Sequence, residues 1–250
     1  MAKVEKLEKE VDELRKRLRK LEGTTGTTHI GIVQDRSGSM SSLTHSTIDG
    51  FNEYVNGLRK GAKEDERLDY RLTLVQFDDE IITRYEDLEL KNVKDLNTDT
   101  YQTRGVTALY DAIGTTIEQI ESYVKDGDDA IIVIMTDGYE NASQKFNKDR
   151  IKSMVKDKEK RDWQFVFLGA GIDAMAEGAG IGIAKGNTMS YGKTAGATRG
   201  TYYNLSAATN ARTSAVKSGT YSAASMDFVT DFMPEKIDED DDGGGSTNGG

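Results

Sequence analysis

The sequence contains no cysteine. A disulfide framework, a thiolate metal site and thiol catalysis are therefore excluded. Histidine is scarce too: only His29 and His45 are present, which argues against a multi-histidine zinc centre. No apolar run approaches the roughly 20 residues of a membrane span, so no membrane insertion is expected. The N-terminus is densely charged and lacks the apolar core of a secretory signal. The expected location is cytoplasmic, or exported or virion-associated without a signal peptide. Positive charge is in deficit. A net charge of −10 disfavours general nucleic-acid binding. A hard cation held by oxygen atoms is what these absences leave open.

What is present divides into four parts. With 36% of its 250 residues hydrophobic, the chain suffices for one core of α/β size plus appendages. Residues 1–22 carry Val4, Leu7, Val11, Leu14, Leu18 and Leu21 at alternating spacings of three and four, an a/d heptad seam. With Val4 at position a, a parallel pair matches Lys3 with Glu8, Glu10 with Arg15 and Arg17 with Glu22 across the two chains, all attractive. An end-matched antiparallel pair sets like charges together. The charges therefore select parallel self-association. Valine at a with leucine at d favours a dimer, and a trimer is also compatible. Residues 23–28 have the composition of a flexible linker. Residues 234–250 are acidic and then glycine-rich, a tail expected to be disordered.

Residues 29–233 alternate strand and helix patterns. Strands are expected at Ile30–Asp35, Tyr70–Phe77, Ala130–Thr136, Trp163–Leu168 and, shorter, Thr188–Tyr191, with Glu80–Tyr85 as a hairpin partner of the second. Helices are expected at Ser42–Lys60, Thr107–Val124 and Lys148–Lys160, near Ile172–Ala179, and within Ala197–Lys217. Alternation of this kind implies an α/β fold with a mostly parallel sheet and helices on both faces, to which the hairpin partner adds one antiparallel edge strand.

In such sheets, ligands bind outside the carboxyl ends of the strands. Three segments reach that edge. Asp35, Ser37 and Ser39 follow the first strand, Asp137 follows the apolar run AIIVIMT, and Thr107 stands just before a helix. Two carboxylates and three hydroxyls make an all-oxygen set of low charge, suited to Mg2+ or Mn2+ with some water retained. Such a cation is only partly neutralised, so an open position would favour a carboxylate from another molecule.

These residues carry a resemblance. DRSGS at 35–39 as D-x-S-x-S, Thr107 within RGVTALYDAI, and Asp137 in TDG resemble the metal-ion-dependent adhesion site of the von Willebrand factor A domain family, in a prokaryotic or phage-like form. The likeness covers Thr28–Leu168 well and Gly169–Phe232 loosely. It implies a Rossmann-like domain that binds one divalent ion (Mg2+, or Mn2+ or Ca2+) through Asp35, Ser37, Ser39, Thr107 and Asp137. It further implies a protein partner whose Asp or Glu side chain completes the coordination. One departure is Val106, where a second glycine is common in the family. Asp111 reads as supporting or structural and Glu140 as an exposed rim charge. Arg36 and Arg104 are candidate contacts to an acidic partner.

Other readings compete. Ser39, Ser41 or Ser42 would serve equally as a helix cap, and so would Thr107. A serine hydrolase built on Ser37 or Ser39 lacks a G-x-S-x-G elbow and a well-placed base. The stretch Gly169–Ala174 matches G-x-G-x-x-A, but it follows a late strand and has no acid about 20 residues on. An oligomeric scaffold, for example a particle-surface protein with a purely structural metal, is the main alternative to a multivalent binding module. No catalysis is expected.

Overall fold

The computed structural model describes Val11, Leu14, residues 26–220 and residues 227–233. Val11 and Leu14 are helical and exposed. The other seam positions, Val4, Leu7, Leu18 and Leu21, lie outside the described residues, as do residues 23–25 of the linker and the whole of the 234–250 tail.

Six strands form one sheet: β1 (Thr28–Asp35), β2 (Tyr70–Phe77), β3 (Ile81–Glu89), β4 (Asp129–Thr136), β5 (Gln164–Ala170) and β6 (Thr188–Tyr191). Their order is β3-β2-β1-β4-β5-β6. Every pairing is parallel except that of β2 with the edge strand β3. The fold class is therefore the expected one. β3 runs four residues past the expected Tyr85, because Asp87 at φ 43° and two register shifts let it bend while pairing with β2 as far as Glu89.

The alternation of side chains across the strands generates two cores. On one face, Ile30, Ile32, Leu72, Leu74, Ile131 and Val133 pack beneath α1 (Thr44–Glu64), α5 (Ala195–Lys217) and the short α6 (Phe228–Phe232). On the other, Val33, Val75, Ile132, Ile134, Phe165 and Phe167 pack beneath α2 (Leu109–Tyr123) and α3 (Lys148–Glu159). α4 (Ala174–Gly180) closes the end of β5. β1 and β4 are buried along their whole length, as expected of central strands covered on both sides. Gly31 in β1 is required by this packing. A Cβ there would stand 2.5 Å from Ile120 Cδ1 and 2.8 Å from Thr116 Cγ2, both on α2.

Because β1 and β4 run in parallel, with Gln34 beside Met135, their carboxyl ends finish side by side. Asp35 ends β1 and Asp137 directly follows β4. The topology thus brings together two acids that are 102 positions apart in the sequence.

Candidate metal centre

Asp35 is fully buried, and both of its carboxylate oxygens are engaged. Oδ1 accepts the Ser37 backbone N–H at 2.7 Å, and Oδ2 accepts the Thr136 hydroxyl at 2.5 Å. Its carbonyl oxygen accepts the Tyr101 hydroxyl at 2.7 Å. Burial is the largest influence on its carboxyl, pushing the pKa up to about 6, while the hydrogen bonds from Thr136 and Ser37 oppose the rise. An ionised carboxylate is thus held in an environment that disfavours its charge. A cation beside it offsets that penalty.

The hydroxyls converge on Asp137. Ser37 Oγ lies 3.0 Å from Ser39 Oγ, and Ser39 Oγ donates to Asp137 Oδ1 at 2.6 Å. Thr107 belongs to the same cluster. A Cβ built on Gly138 would lie 3.2 Å from Thr107 Oγ1 and 3.8 Å from Ser39 Oγ. A side chain at Gly138 would therefore crowd the Thr107 hydroxyl and lie in van der Waals contact with that of Ser39. The competing assignment of these hydroxyls as helix caps does not hold. The 3-10 turn Gly38–Leu43, α1 and α2 all begin without a side-chain cap, and their N-cap residues are Ser37, Leu43 and Ala108.

The other carboxylate oxygen of Asp137, Oδ2, accepts no hydrogen bond, although it is buried. The Lys193 ammonium stands 2.5 Å from it, a charge contact outside hydrogen-bonding geometry. A buried carboxylate oxygen that lacks a donor is costly unless a cation stands beside it. Among the described residues no three acidic or imidazole side chains gather as a cation cage. The donors here are instead two carboxylates and three hydroxyls, all oxygen, which fits a hard divalent cation.

The rim is built by backbone contacts. Arg104 N–H donates to the Arg36 carbonyl at 2.9 Å, Gly38 N–H to the Gly105 carbonyl at 3.2 Å and Ala108 N–H to the Asp78 carbonyl at 2.8 Å. Arg36 and Arg104 both point at Asp78, each at 2.9 Å, and both also pair with Glu80. They clamp the loop before Thr107 to the β2–β3 turn, so their charges are largely spent within the chain. Asp111 accepts the backbone N–H groups of Gln144, Lys145 and Phe146. Glu140 is not a free rim charge. Its carboxylate accepts from the backbone of Tyr110, Ala142 and Ser143 and from the Ser143 hydroxyl. Both acids therefore shape the β4–α3 loop and do not face the cluster.

Four contributors were not singled out from sequence. Thr136 and Tyr101 hold Asp35. Asn141 brackets Thr107, its side chain accepting the Thr107 N–H at 2.9 Å and its own N–H donating to the Thr107 carbonyl at 3.0 Å. Lys193 arrives from the turn after β6. Of these only Thr136 had a visible signal, its place between a buried strand and Asp137.

The enzyme readings find no support in this geometry. His29 stands at the opposite, amino end of β1, between Asp87 at 2.8 Å and Asp128 at 3.3 Å. In the G-x-G-x-x-A stretch, Gly169 and Ala170 still belong to β5, and Gly171 makes the turn at φ 66°.

Comparison with solved structures places the architecture. The pilus adhesin SpaC from Lactobacillus rhamnosus GG superposes with a TM-score of 0.57 at 11% identity, covering 74% of this chain and 31% of that one. Proximal thread matrix protein 1 from the mussel byssus, in a structure with a zinc-occupied MIDAS motif, gives 0.51 at 13% identity, covering 77% and 47%. The minor pilin PilB from Streptococcus sanguinis gives 0.53 at 13% identity, covering 76% and 62%. The fold is that of a von Willebrand factor A-like domain. At these identities the likeness establishes the fold of the A-like domain and nothing finer. The chain spans less than two thirds of each of these relatives. No family model matches the sequence, and no curated protein does either.

Proposed function

We propose that this A-like domain is a divalent-metal-dependent protein-binding module. In this reading Asp35, Ser37, Ser39, Thr107 and Asp137 hold Mg2+, or Mn2+ or Ca2+ in its place, and a carboxylate of the partner completes the coordination. The observation that carries it is the cluster of two buried acids and three hydroxyls, gathered from the ends of β1 and β4 and the loop before α2, in which Ser37, Ser39 and Asp137 form one chain of hydrogen bonds. A bound divalent ion supplies a Lewis-acidic, incompletely neutralised site for an anionic oxygen. Asp35 and Asp137 provide the negative charge. Thr136 and Tyr101 fix Asp35, and Asn141 fixes the backbone of Thr107. The low count of acids leaves room for a third from outside. The adhesin, the minor pilin and the thread matrix protein named above share the fold and are compatible with this role.

The rim adds a second component to recognition. Val106 and Tyr139 flank Thr107 and Asp137 in sequence and remain about half exposed, at 49% and 54%. A partner acid set beside an apolar side chain would match both features. No helix among the described residues is long and apolar enough to cross a membrane.

Titrating acetate into isotopically labelled protein tests the site directly. With saturating Mg2+, amide shifts are expected at Ser39, Thr107 and Gly138. In EDTA the same titration is expected to leave them unmoved. Identical acetate responses in both buffers, or no heat on Mg2+ addition by calorimetry, reject the assignment.

The seam at Ala2–Glu22 would present several such heads together and raise avidity for a repeated partner surface. Deletion of Ala2–Glu22 is expected to convert a dimer or trimer into a monomer by light scattering. An unchanged mass rejects the seam.

A further inference from the structure

We propose that Lys193 is a tethered cation that takes the charge-balancing place beside Asp137 when no metal is there, and that it must withdraw when a divalent ion binds. This inference rests on the metal-site reading above and concerns a residue that lies outside the five-oxygen set.

The argument starts from the position of the lysine. Lys193 stands in the turn between β6, which ends at Tyr191, and α5, which Thr194 caps through a hydrogen bond from Ala197 N–H. The backbone of that turn is pinned on both sides. Gly171 N–H donates to the Tyr191 carbonyl at 2.9 Å. A Cβ on Gly171 would meet Lys193 Cβ at 3.1 Å. The base of the side chain is therefore fixed over the site, and only its long stem is free to swing.

Its head group then meets an oxygen that offers nothing else to bind. Asp137 Oδ2 is wholly buried and accepts no hydrogen bond, while the Lys193 side chain keeps 37% of its surface exposed. One partner cannot reach water and the other can. A contact of this kind is easily broken from the lysine side, because the ammonium re-solvates as it leaves. Asp137 cannot follow it, since Ser39 holds Oδ1 at 2.6 Å. The asymmetry makes Lys193 replaceable and Asp137 a fixed receptor for positive charge.

A lysine ammonium and a divalent ion cannot share one buried carboxylate at close range without strong repulsion. Lys193 therefore competes with metal for Asp137. Without metal it offsets the negative charge of Asp137 beside the fully buried Asp35 carboxylate. With metal it turns to the rim, beside the face that would receive the partner's acid. Metal affinity is thus lowered by a built-in competitor, and the domain does not depend on metal to keep two buried acids side by side.

Calorimetry with Mn2+ and Mg2+ tests this on wild type, Lys193→Met and Lys193→Arg. Lys193→Met is expected to bind up to about fivefold more tightly than wild type, the equivalent of one lost, partly exposed ion pair, and Lys193→Arg to remain near wild type. Melting in EDTA is the second readout. Lys193→Met is expected to melt lower than wild type in EDTA and to recover in saturating Mg2+. A lysine with a merely structural role would lower both melts equally, which overturns the proposal. Equal or weaker metal binding by Lys193→Met also overturns it while leaving the metal site standing. If neither wild type nor Lys193→Met binds Mn2+, the metal-site reading itself fails and takes this inference with it.

Discussion

Replacing Asp137 with asparagine is expected to abolish measurable Mg2+ and Mn2+ binding while the sheet remains intact. Asparagine is nearly isosteric, and its Oδ1 still accepts the Ser39 hydroxyl that the carboxylate accepts at 2.6 Å. What it removes is charge. Only two of the five oxygens in the proposed set come from acids, so one substitution halves the negative charge available to the ion. Changing a supporting residue around a metal typically costs roughly 10–100-fold in affinity, and losing one of two charged ligands should exceed that. The folded state tolerates the change because the amide needs no counter-ion in the buried place where Oδ2 accepts no hydrogen bond. Calorimetry with both ions and a far-ultraviolet circular dichroism spectrum decide the matter together. Wild-type metal affinity in Asp137→Asn would remove Asp137 from the site, and an unfolded spectrum would show that its role is structural.

The sequence makes the Asp35–Asp137 half of this site legible because strand physics puts it there. Both acids terminate continuous apolar runs, and such runs become central parallel strands that end together. The three hydroxyls are legible only as a pattern of intervals. Their placement depends on the turn Gly38–Leu43 and on the clamp of Arg36 and Arg104 upon Asp78. Lys193 carried no local signal at all. Its relation to Asp137 arises from the pairing of β6 with β5, a tertiary fact that periodicity cannot encode. The reading of Glu140 went astray for a related reason. A carboxylate beside a candidate site looks like a ligand or a rim charge, yet here three unpaired backbone N–H groups in the adjoining loop and helix start claim it first. The 3-10 turn before α1 also displaced the expected helix start from Ser42 to Thr44. α6 was missed because five residues are too few to show a helical period.

The largest stability effect is expected at the opposite end of the sheet, from Asp129→Leu. Asp129 opens β4, and its carboxylate pairs with Arg212 of α5. Arg212 is fully buried, and its Nε and Nη2 groups donate to no partner among the described residues, so the ion pair with Asp129 is what compensates its charge. Removing one member of a buried pair costs about 3–5 kcal/mol, since the remaining charge stays desolvated. Lys217 worsens the balance. Burial pushes its pKa down, and Asp129 is the first of the acids that hold it up. Leucine at 129 would deprive two cations of one counter-charge. For a domain of about 200 residues, a loss of this size lowers Tm by roughly 10 °C or more. The companion variant Asp129→Leu with Arg212→Met replaces the pair by apolar volume and is expected to recover most of the loss, as buried pairs exchanged whole often do. Thermal melts of the two variants separate the explanations. A double variant as unstable as the single one would mean that α5 needs the Arg212 guanidinium for packing, and not because its charge is paired.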